Sequence, residues 1–156
     1  MTARPPSQRA SASRVILEAG LVAGVLDIAY VCGYFGWRGV GMGRILRGIA
    51  AALQGLPALQ GGLSAALGLA LHFGVALTVA VVFYGASRKV IWLTQHAVIG
   101  GLGYGAAVWL VMNLVVLPLT AVPPRGFPPP QWPVILLAHL FCVGLPIALV
   151  VRRHAR

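Results

Sequence analysis

The sequence predicts an all-α membrane protein with four transmembrane helices, and three observations lead to this fold class. Of the 156 residues, 59% are apolar and only 9% are charged, whereas soluble domains hold about 45–50% apolar and about 25% charged residues. The apolar residues gather in four long runs, and the basic residues lie between these runs. Two acidic and 12 basic residues cannot give a soluble globule a polar surface. The composition therefore excludes a soluble enzyme, a disordered regulator and a disulfide-rich secreted module.

Four windows are long enough to cross a bilayer, which takes about 20 apolar residues for about 30 Å of hydrocarbon. They are residues 15–35, 63–84, 97–119 and 132–151. We expect the first window to be a span rather than a cleaved signal peptide, because its apolar stretch is too long and Asp27 interrupts it. The sequence thus predicts a short disordered tail over residues 1–13 and a single four-span domain over residues 14–153.

The segment between the first two windows predicts an amphipathic helix over about residues 44–57. Its apolar side chains recur on one helical face and are Ile45, Leu46, Ile49, Leu53 and Leu56. Such a helix lies flat in the headgroup region, and Pro57 is expected to end it; a short re-entrant segment is the alternative. Arg38, Arg44 and Arg47 are then interfacial residues whose long side chains reach lipid phosphates.

The basic residues predict how the chain is oriented. With four spans, both termini and the second loop share one face of the membrane, and the first and third loops share the other. The first of these faces carries Arg4, Arg9, Arg14, Arg88, Lys89, Arg152, Arg153 and Arg156, and the second carries Arg38, Arg44, Arg47 and Arg125. Because Lys and Arg concentrate on the cytoplasmic side, this distribution favours cytoplasmic termini in a bacterial inner membrane.

The distribution of the basic residues also indicates which partners to expect. A nucleic-acid-binding protein clusters its basic residues on one face of a folded domain, which this chain does not do, so we expect no nucleic acid. The expected partners are the lipid bilayer and either further copies of this chain or other membrane proteins.

Each span holds one strongly polar residue near its middle: Asp27, His72, Asn113 and His139. At 1.5 Å per residue, all four fall within about 7 Å of the membrane midplane. Polar groups at this depth are costly and usually face the interior of a helix bundle. On the second span, small residues precede and follow His72 at intervals of four, and small stripes let membrane helices approach closely. We therefore expect Asp27 and His72 to meet across a tight helix pair.

The polar layer formed by Asp27, His72, Asn113 and His139 supports two hypotheses about function. In the first, Asp27, His72 and His139 bind a proton, an ion or a small ligand, with Asn113 as a neutral donor, and the site is coupled to transport. In the second, the chain is an accessory or scaffolding subunit of a larger membrane complex, and the same residues only hydrogen-bond the bundle together.

Cofactor and enzyme hypotheses also follow from these residues. His72 and His139 lie at matched depth, as the two axial ligands of a b-type haem between membrane helices do. If the chain binds a metal ion, its ligands would be Asp27, His72 and His139. The sequence has no HExxH, no GxSxG and no paired carboxylates, so we predict no catalytic residues and no enzyme.

Two further patterns predict local contacts. Glu18 lies four residues after Arg14, which predicts an ion pair along one helix, while His154 is expected to be solvated. The Gly-rich segment at Gly20–Gly24 has a counterpart at Gly101–Gly105, and His72 has one at His139. This indicates two helical hairpins that repeat in the same orientation, an arrangement found in transporters.

The chain resembles a family through several short motifs. They are the Gly-rich first span with Asp27, the run Ala70-Leu71-His72-Phe73, Met112-Asn113 followed by Pro118, and Leu137-Ala138-His139. Over about residues 15–153 the chain is similar to small four-helix bacterial inner-membrane proteins of uncharacterised function. It is more distantly similar to YagU-type inner-membrane proteins, through the third-loop prolines and the helix that follows. The resemblance implies a polytopic inner-membrane protein and no particular activity.

Overall fold

The computed structural model describes residues 10–123 and 126–155, and the regular elements within them are all helical. In chain order these are α1 (Ala12–Trp37), α2 (Met42–Gln54), α3 (Ser64–Lys89), the single turn α4 (Trp92–Gln95), α5 (Ala97–Leu119) and α6 (Trp132–Ala155). Helices α1, α3, α5 and α6 are each long and apolar enough to cross a membrane. The predicted all-α fold with four spans is confirmed.

Helix α1 begins earlier than the sequence predicts. The Ser11 hydroxyl accepts a hydrogen bond from the Arg14 backbone N–H at 3.3 Å, so Ser11 caps the helix and Ala12 is its first residue. The predicted tail over residues 1–13 therefore loses its last two residues to α1. The rest of that tail up to residue 9, together with Arg125 and Arg156 of the charge count, lies outside the described residues.

The four long helices pack around a shared core. Helix α1 lies between α3 and α6, and α6 in turn packs against α5. Tyr104 links α5 to α3, because its hydroxyl donates to the Val79 carbonyl of α3 at 2.7 Å and its ring meets Phe83 edge-on. Phe83 and Ile147 are the largest fully buried side chains of the core that these helices share.

The start of α1 and the end of α6 lie at the same end of the bundle. Glu18 of α1 accepts a hydrogen bond from the His154 imidazole of α6 at 2.8 Å, and the Arg153 guanidinium is 4.0 Å from its other oxygen. The predicted Glu18–Arg14 ion pair and the solvated His154 are therefore wrong: among the described residues, Glu18 pairs across helices, and His154 is 19% exposed. The physical reason is that α1 and α6 run side by side, so Glu18 faces a neighbouring helix.

Helix α2 packs at the opposite end of the bundle. Its buried face consists of Leu46, Ala50 and Ala51, and the backbone at Leu46 lies directly against Gly68 of α3. A hydrogen bond of 2.9 Å from the Ala121 N–H to the Ala52 carbonyl joins α2 to the end of α5. Helix α2 thus spans the space between the second and third spans at this end.

The structure shifts the bounds and the buried face of this segment relative to the sequence prediction. Helix α2 ends at Gln54, three residues before Pro57, because Gly55 adopts a positive φ of 70°. Leu53 and Leu56 of the predicted apolar face are 64% and 57% exposed, whereas Leu46 of that face is buried together with Ala50 and Ala51. The close approach of α2 to α3 is at the Leu46 backbone, which lies against Gly68.

Two spans contain a π-helical turn just before a proline. The turns cover Met112–Val116 in α5 and His139–Gly144 in α6, and Leu-Pro follows each of them. Proline lacks a backbone N–H and its ring clashes with the carbonyl four residues earlier, so the regular hydrogen-bond ladder is interrupted there. In these turns the backbone hydrogen bonds join residues five apart instead of four. Two of the four polar residues of the spans, Asn113 and His139, lie in them.

Candidate functional site

Glycines bring α1 and α3 together at the predicted polar layer. A Cβ atom on Gly24 would lie 2.7 Å from the Phe73 ring, and one on Gly20 would lie 3.0 Å from the Leu77 Cα. Any larger side chain would push the two helices apart at these positions. Asp27 lies one turn after Gly24, and His72 lies directly before Phe73, so both polar side chains face the resulting close contact.

The backbone fixes the tautomer of His72. Its Nε2 lies 2.8 Å from the Gly24 carbonyl oxygen, and a carbonyl can only accept, so Nε2 carries a hydrogen and donates it. The other ring nitrogen, Nδ1, lies 4.0 Å from Oδ2 of Asp27. The two side chains are only 12% and 15% exposed. Nδ1 therefore carries the free lone pair of neutral His72, and it faces a carboxylate.

The Asp27 carboxylate is short of hydrogen-bond donors. Its Oδ1 is buried and has no hydrogen-bond partner among the described residues. Its Oδ2 is 4.0 Å from the nearest imidazole nitrogen, which is beyond hydrogen-bond distance. An ionised carboxylate is costly in such surroundings unless positive charge lies beside it. Asp27 is thus a group that a proton or a cation stabilises.

His139 lies on α6, the other helix that packs against α1. Helix α1 contacts the π-helical turn that begins at His139. The Nδ1 atom of His139 lies 2.8 Å from the Ile135 carbonyl oxygen and donates to it, so neutral His139 carries its hydrogen on Nδ1. The structure therefore places His72 beside Asp27 and His139 on the neighbouring helix, and a backbone carbonyl fixes the tautomer of each histidine.

Cys142 lies three residues after His139 in the same π-helical turn and is half-buried. No role was predicted for it, although residues at this spacing lie on one helical face.

Asn113 stands apart from the other three residues in its bonding. Its side-chain amide donates to the Trp109 carbonyl in the preceding turn of α5 at 2.8 Å. In the described part of the chain, no hydrogen bond joins Asn113 to Asp27, His72 or His139. The structure thus brings Asp27 and His72 together and places His139 on the neighbouring helix α6.

The positions of the possible ligands bear on the metal and haem hypotheses. Over residues 10–123 and 126–155, no three His, Cys, Asp or Glu side chains are grouped closely enough to hold a metal ion. Axial ligation of a haem needs a ring nitrogen with a free lone pair facing the iron. In His72, Nε2 donates to Gly24 and Nδ1 faces Asp27, so neither nitrogen fits this role.

The three predicted interfacial arginines lie near the junction of α1 and α2, at the end of the bundle opposite the termini. The Arg38 guanidinium lies over the Tyr34 ring, 5.3 Å from its centroid. Arg44 is exposed, whereas Arg47 is half-buried.

Comparisons with family models, curated proteins and solved structures find no match to this chain. The similarity to YagU-type and related inner-membrane proteins therefore stays a prediction. The four apolar helices define the class as a multi-pass membrane protein.

Proposed function

We propose that this chain is a bacterial inner-membrane protein that binds a proton at a site formed by Asp27, His72 and His139. One observation carries the proposal: the Asp27 carboxylate lies 4.0 Å from the His72 ring nitrogen that makes no backbone hydrogen bond, and its second oxygen is buried without a partner among the described residues. Protons need no coordination sphere, so the site requires no cavity around these groups.

The pair holds at least one proton for an electrostatic reason. With His72 neutral and Asp27 ionised, the Nδ1 lone pair would face a negative oxygen. A proton on either group removes this repulsion, and an imidazolium beside a carboxylate also reduces the cost of burying the charge. A second proton on the pair would neutralise Asp27 and leave the His72 imidazolium without its counter-charge.

Proton binding at Asp27 would change how α1 packs against its two neighbouring helices. Helix α1 packs against both α3 and α6, and each of these helices contributes one of the two histidines. Neutralising Asp27 would weaken the attraction of α1 to both neighbours at once. Moreover, His139 lies in a π-helical turn, a distortion that recurs at functional sites. Such coupling between protonation and helix packing is suited to transport.

The described charges support cytoplasmic termini. Arg14, Arg88, Lys89, Arg152 and Arg153 belong to the end of the bundle that holds the termini and α4. Arg38, Arg44 and Arg47 belong to the other end, so the excess of basic residues remains with the termini.

A scaffolding role is the second candidate, and an exposed face of α3 favours it. Ala66, Ala70 and Gly74 recur at intervals of four on this face, and a Cβ on Gly74 would meet nothing within 4 Å. Small residues at this spacing promote association of membrane helices. In this case the polar layer would stabilise the bundle without exchanging protons.

Infrared difference spectroscopy between acid and alkaline pH separates the two candidates. The chain has only two acidic side chains, Glu18 and Asp27, so carboxyl bands can be assigned with two variants. We expect a C=O stretching band of a protonated carboxyl group that disappears in Asp27→Asn and persists in Glu18→Gln. His72→Gln should shift this band, because the imidazole faces the carboxylate.

A His96→Gln variant is the matched control, since His96 is exposed and stacks on Trp92 away from this site. It should leave the Asp27 band where it is. If Asp27 gives no titrating band in folded protein, or if the His72 and His96 variants act alike, the proton-binding proposal fails and the scaffolding role is favoured.

A further inference from the structure

The core that the four spans share lies at one end of the bundle. Its buried residues come from the first half of α1, the second half of α3, the start of α5 and the later part of α6, and they include Val15, Ala19, Phe83 and Ile147. This is the end that holds the start of α1 and the end of α6. The second buried cluster lies at the other end, beneath α2, and includes no residue of α1 or α6. The shared core thus closes the bundle toward the termini only.

Helix α1 shows this difference along a single face. Ala19 and Ala23 lie four residues apart on the interior face of α1 and are fully buried. The same face continues through Asp27, Tyr30 and Tyr34, since residues three or four positions apart lie on one side of a helix. These three side chains are half-buried, and no residue in the second half of α1 is buried. Asp27 therefore lies where the interior of the bundle changes from closely packed to open.

Toward the termini, apolar contacts close the approach to Asp27. One turn before Asp27, the Gly24 backbone packs so tightly on the Phe73 ring that no Cβ would fit between them. Beyond this contact, Phe83 and Ile147 are the largest fully buried side chains. A proton moves between groups that accept and donate hydrogen bonds, and packed apolar side chains supply neither. The open side is therefore the one that leads to α2.

We propose that protons reach Asp27 from the membrane face that carries α2, along the hydroxyls of Tyr30 and Tyr34. This inference rests on the proposed proton-binding function. Long side chains on a helix lean toward its N-terminus, so Tyr34 leans toward Tyr30, and Tyr30 toward Asp27. The Arg38 guanidinium lies 5.3 Å from the centroid of the Tyr34 ring and marks the outer end of this row. With cytoplasmic termini, the protons enter from the periplasmic side.

Each tyrosine hydroxyl passes a proton on without keeping a charge. Its oxygen accepts a proton from one neighbour and releases its own hydrogen to the next, so one O–H bond forms as the other breaks. Neither hydroxyl makes a hydrogen bond within the described residues, so both are free for this exchange. The proton ends on the pair formed by Asp27 and His72. The other titratable side chains near this level, on the helices packed against α1, are His139 and Cys142 of α6.

Infrared spectroscopy after a pH jump measures how fast the Asp27 carboxyl band responds in the full chain. We expect Tyr30→Phe and Tyr34→Phe each to slow this response about tenfold or more, because each removes a hydroxyl and keeps the ring. The final size and position of the band should match the wild type, since Asp27 and His72 are unchanged. Tyr84→Phe is the matched control, because Tyr84 packs against the core at the closed end, and it should respond at the wild-type rate.

Proteoliposomes test the direction of access. Vesicles that expose a C-terminal affinity tag are separated from those that enclose it, and acid is added outside each population. We expect the Asp27 band to respond faster in vesicles that enclose the tag, because α2 then faces the acid. The proposal is overturned if acid on the tag side acts equally fast or faster, or if either tyrosine variant, once folded, responds at the wild-type rate. An absent Asp27 band would instead overturn the proton-binding site itself, and this inference with it.

Discussion

At the scale of single residues, the side chains of the candidate site are held by backbone carbonyls. His72 donates to the Gly24 carbonyl and His139 to that of Ile135. The stripe of small residues around His72 predicts its meeting with Asp27, and the structure shows that meeting at 4.0 Å. Which imidazole nitrogen faces the carboxylate could not be predicted, because it depends on a carbonyl oxygen of another helix. A glycine contributes to the site here through its backbone, and sequence analysis of side chains overlooks it.

Tyr104 provides a prediction at this scale. Its hydroxyl donates to the Val79 carbonyl at 2.7 Å and joins α5 to α3. We expect Tyr104→Phe to lower the free energy of unfolding by about 0.6 kcal/mol and by no more than about 1.7 kcal/mol, the range for such bonds between membrane helices. Unfolding in mixed micelles with increasing sodium dodecyl sulfate measures this change.

Tyr84→Phe is the control for this measurement, since the Tyr84 hydroxyl makes no hydrogen bond within the described residues. Equal losses in the two variants would show that the Tyr104 hydroxyl does not stabilise the α3–α5 contact.

At the scale of helices, glycines determine which spans lie closest. Gly20 and Gly24 pack against α3, and Gly101 and Gly105 pack against α6. In each case, the glycine pair of the first helix of a hairpin faces the helix that carries the histidine. This parallel agrees with the predicted repeat of two hairpins. The two π-helical turns were not predicted, although the Leu-Pro pair after each one is a usable signal in the sequence.

Gly105 gives the prediction at this scale. Its Cα lies 2.7 Å from where a Cβ on Gly144 would be, and a Cβ on Gly105 itself would lie 2.8 Å from the Leu140 Cα. We expect Gly105→Leu to separate α5 from α6 and to destabilise the fold by about 3 kcal/mol or more, because backbone cannot move aside as a flexible side chain can. The same micelle unfolding experiment measures the loss.

Gly103 lies two residues earlier on α5, and a Cβ there would meet nothing within 4 Å. Gly103→Leu should therefore unfold close to the wild type. If Gly105→Leu is as stable as this control, the close α5–α6 contact does not form.

At the scale of the whole molecule, span number and span order were predictable, whereas long-range pairing was not. Apolar length alone locates the four spans, because the bilayer sets the length that a helix needs. The hydrogen bond between Glu18 and His154 joins residues 136 positions apart. It was not predicted, because Arg14 lies four residues before Glu18 and was the expected partner. The alanine face of α2 was also missed, since a hydrophobic pattern emphasises leucines over the small residues that allow close approach.

The central claim is that three spans bring one carboxylate and two imidazoles together in one protomer. Nitrogen NMR of histidine-labelled protein in micelles tests it most directly, because the chemical shifts of the ring nitrogens report the tautomer and the surroundings of each imidazole. We predict that neutral His72 carries its hydrogen on Nε2 and neutral His139 on Nδ1, and that Asp27→Asn changes the ring-nitrogen shifts of both while leaving those of His96 unchanged. If the ring-nitrogen shifts of His72 and His139 are the same in the wild type and in Asp27→Asn, the three groups do not form a common site and the account is wrong.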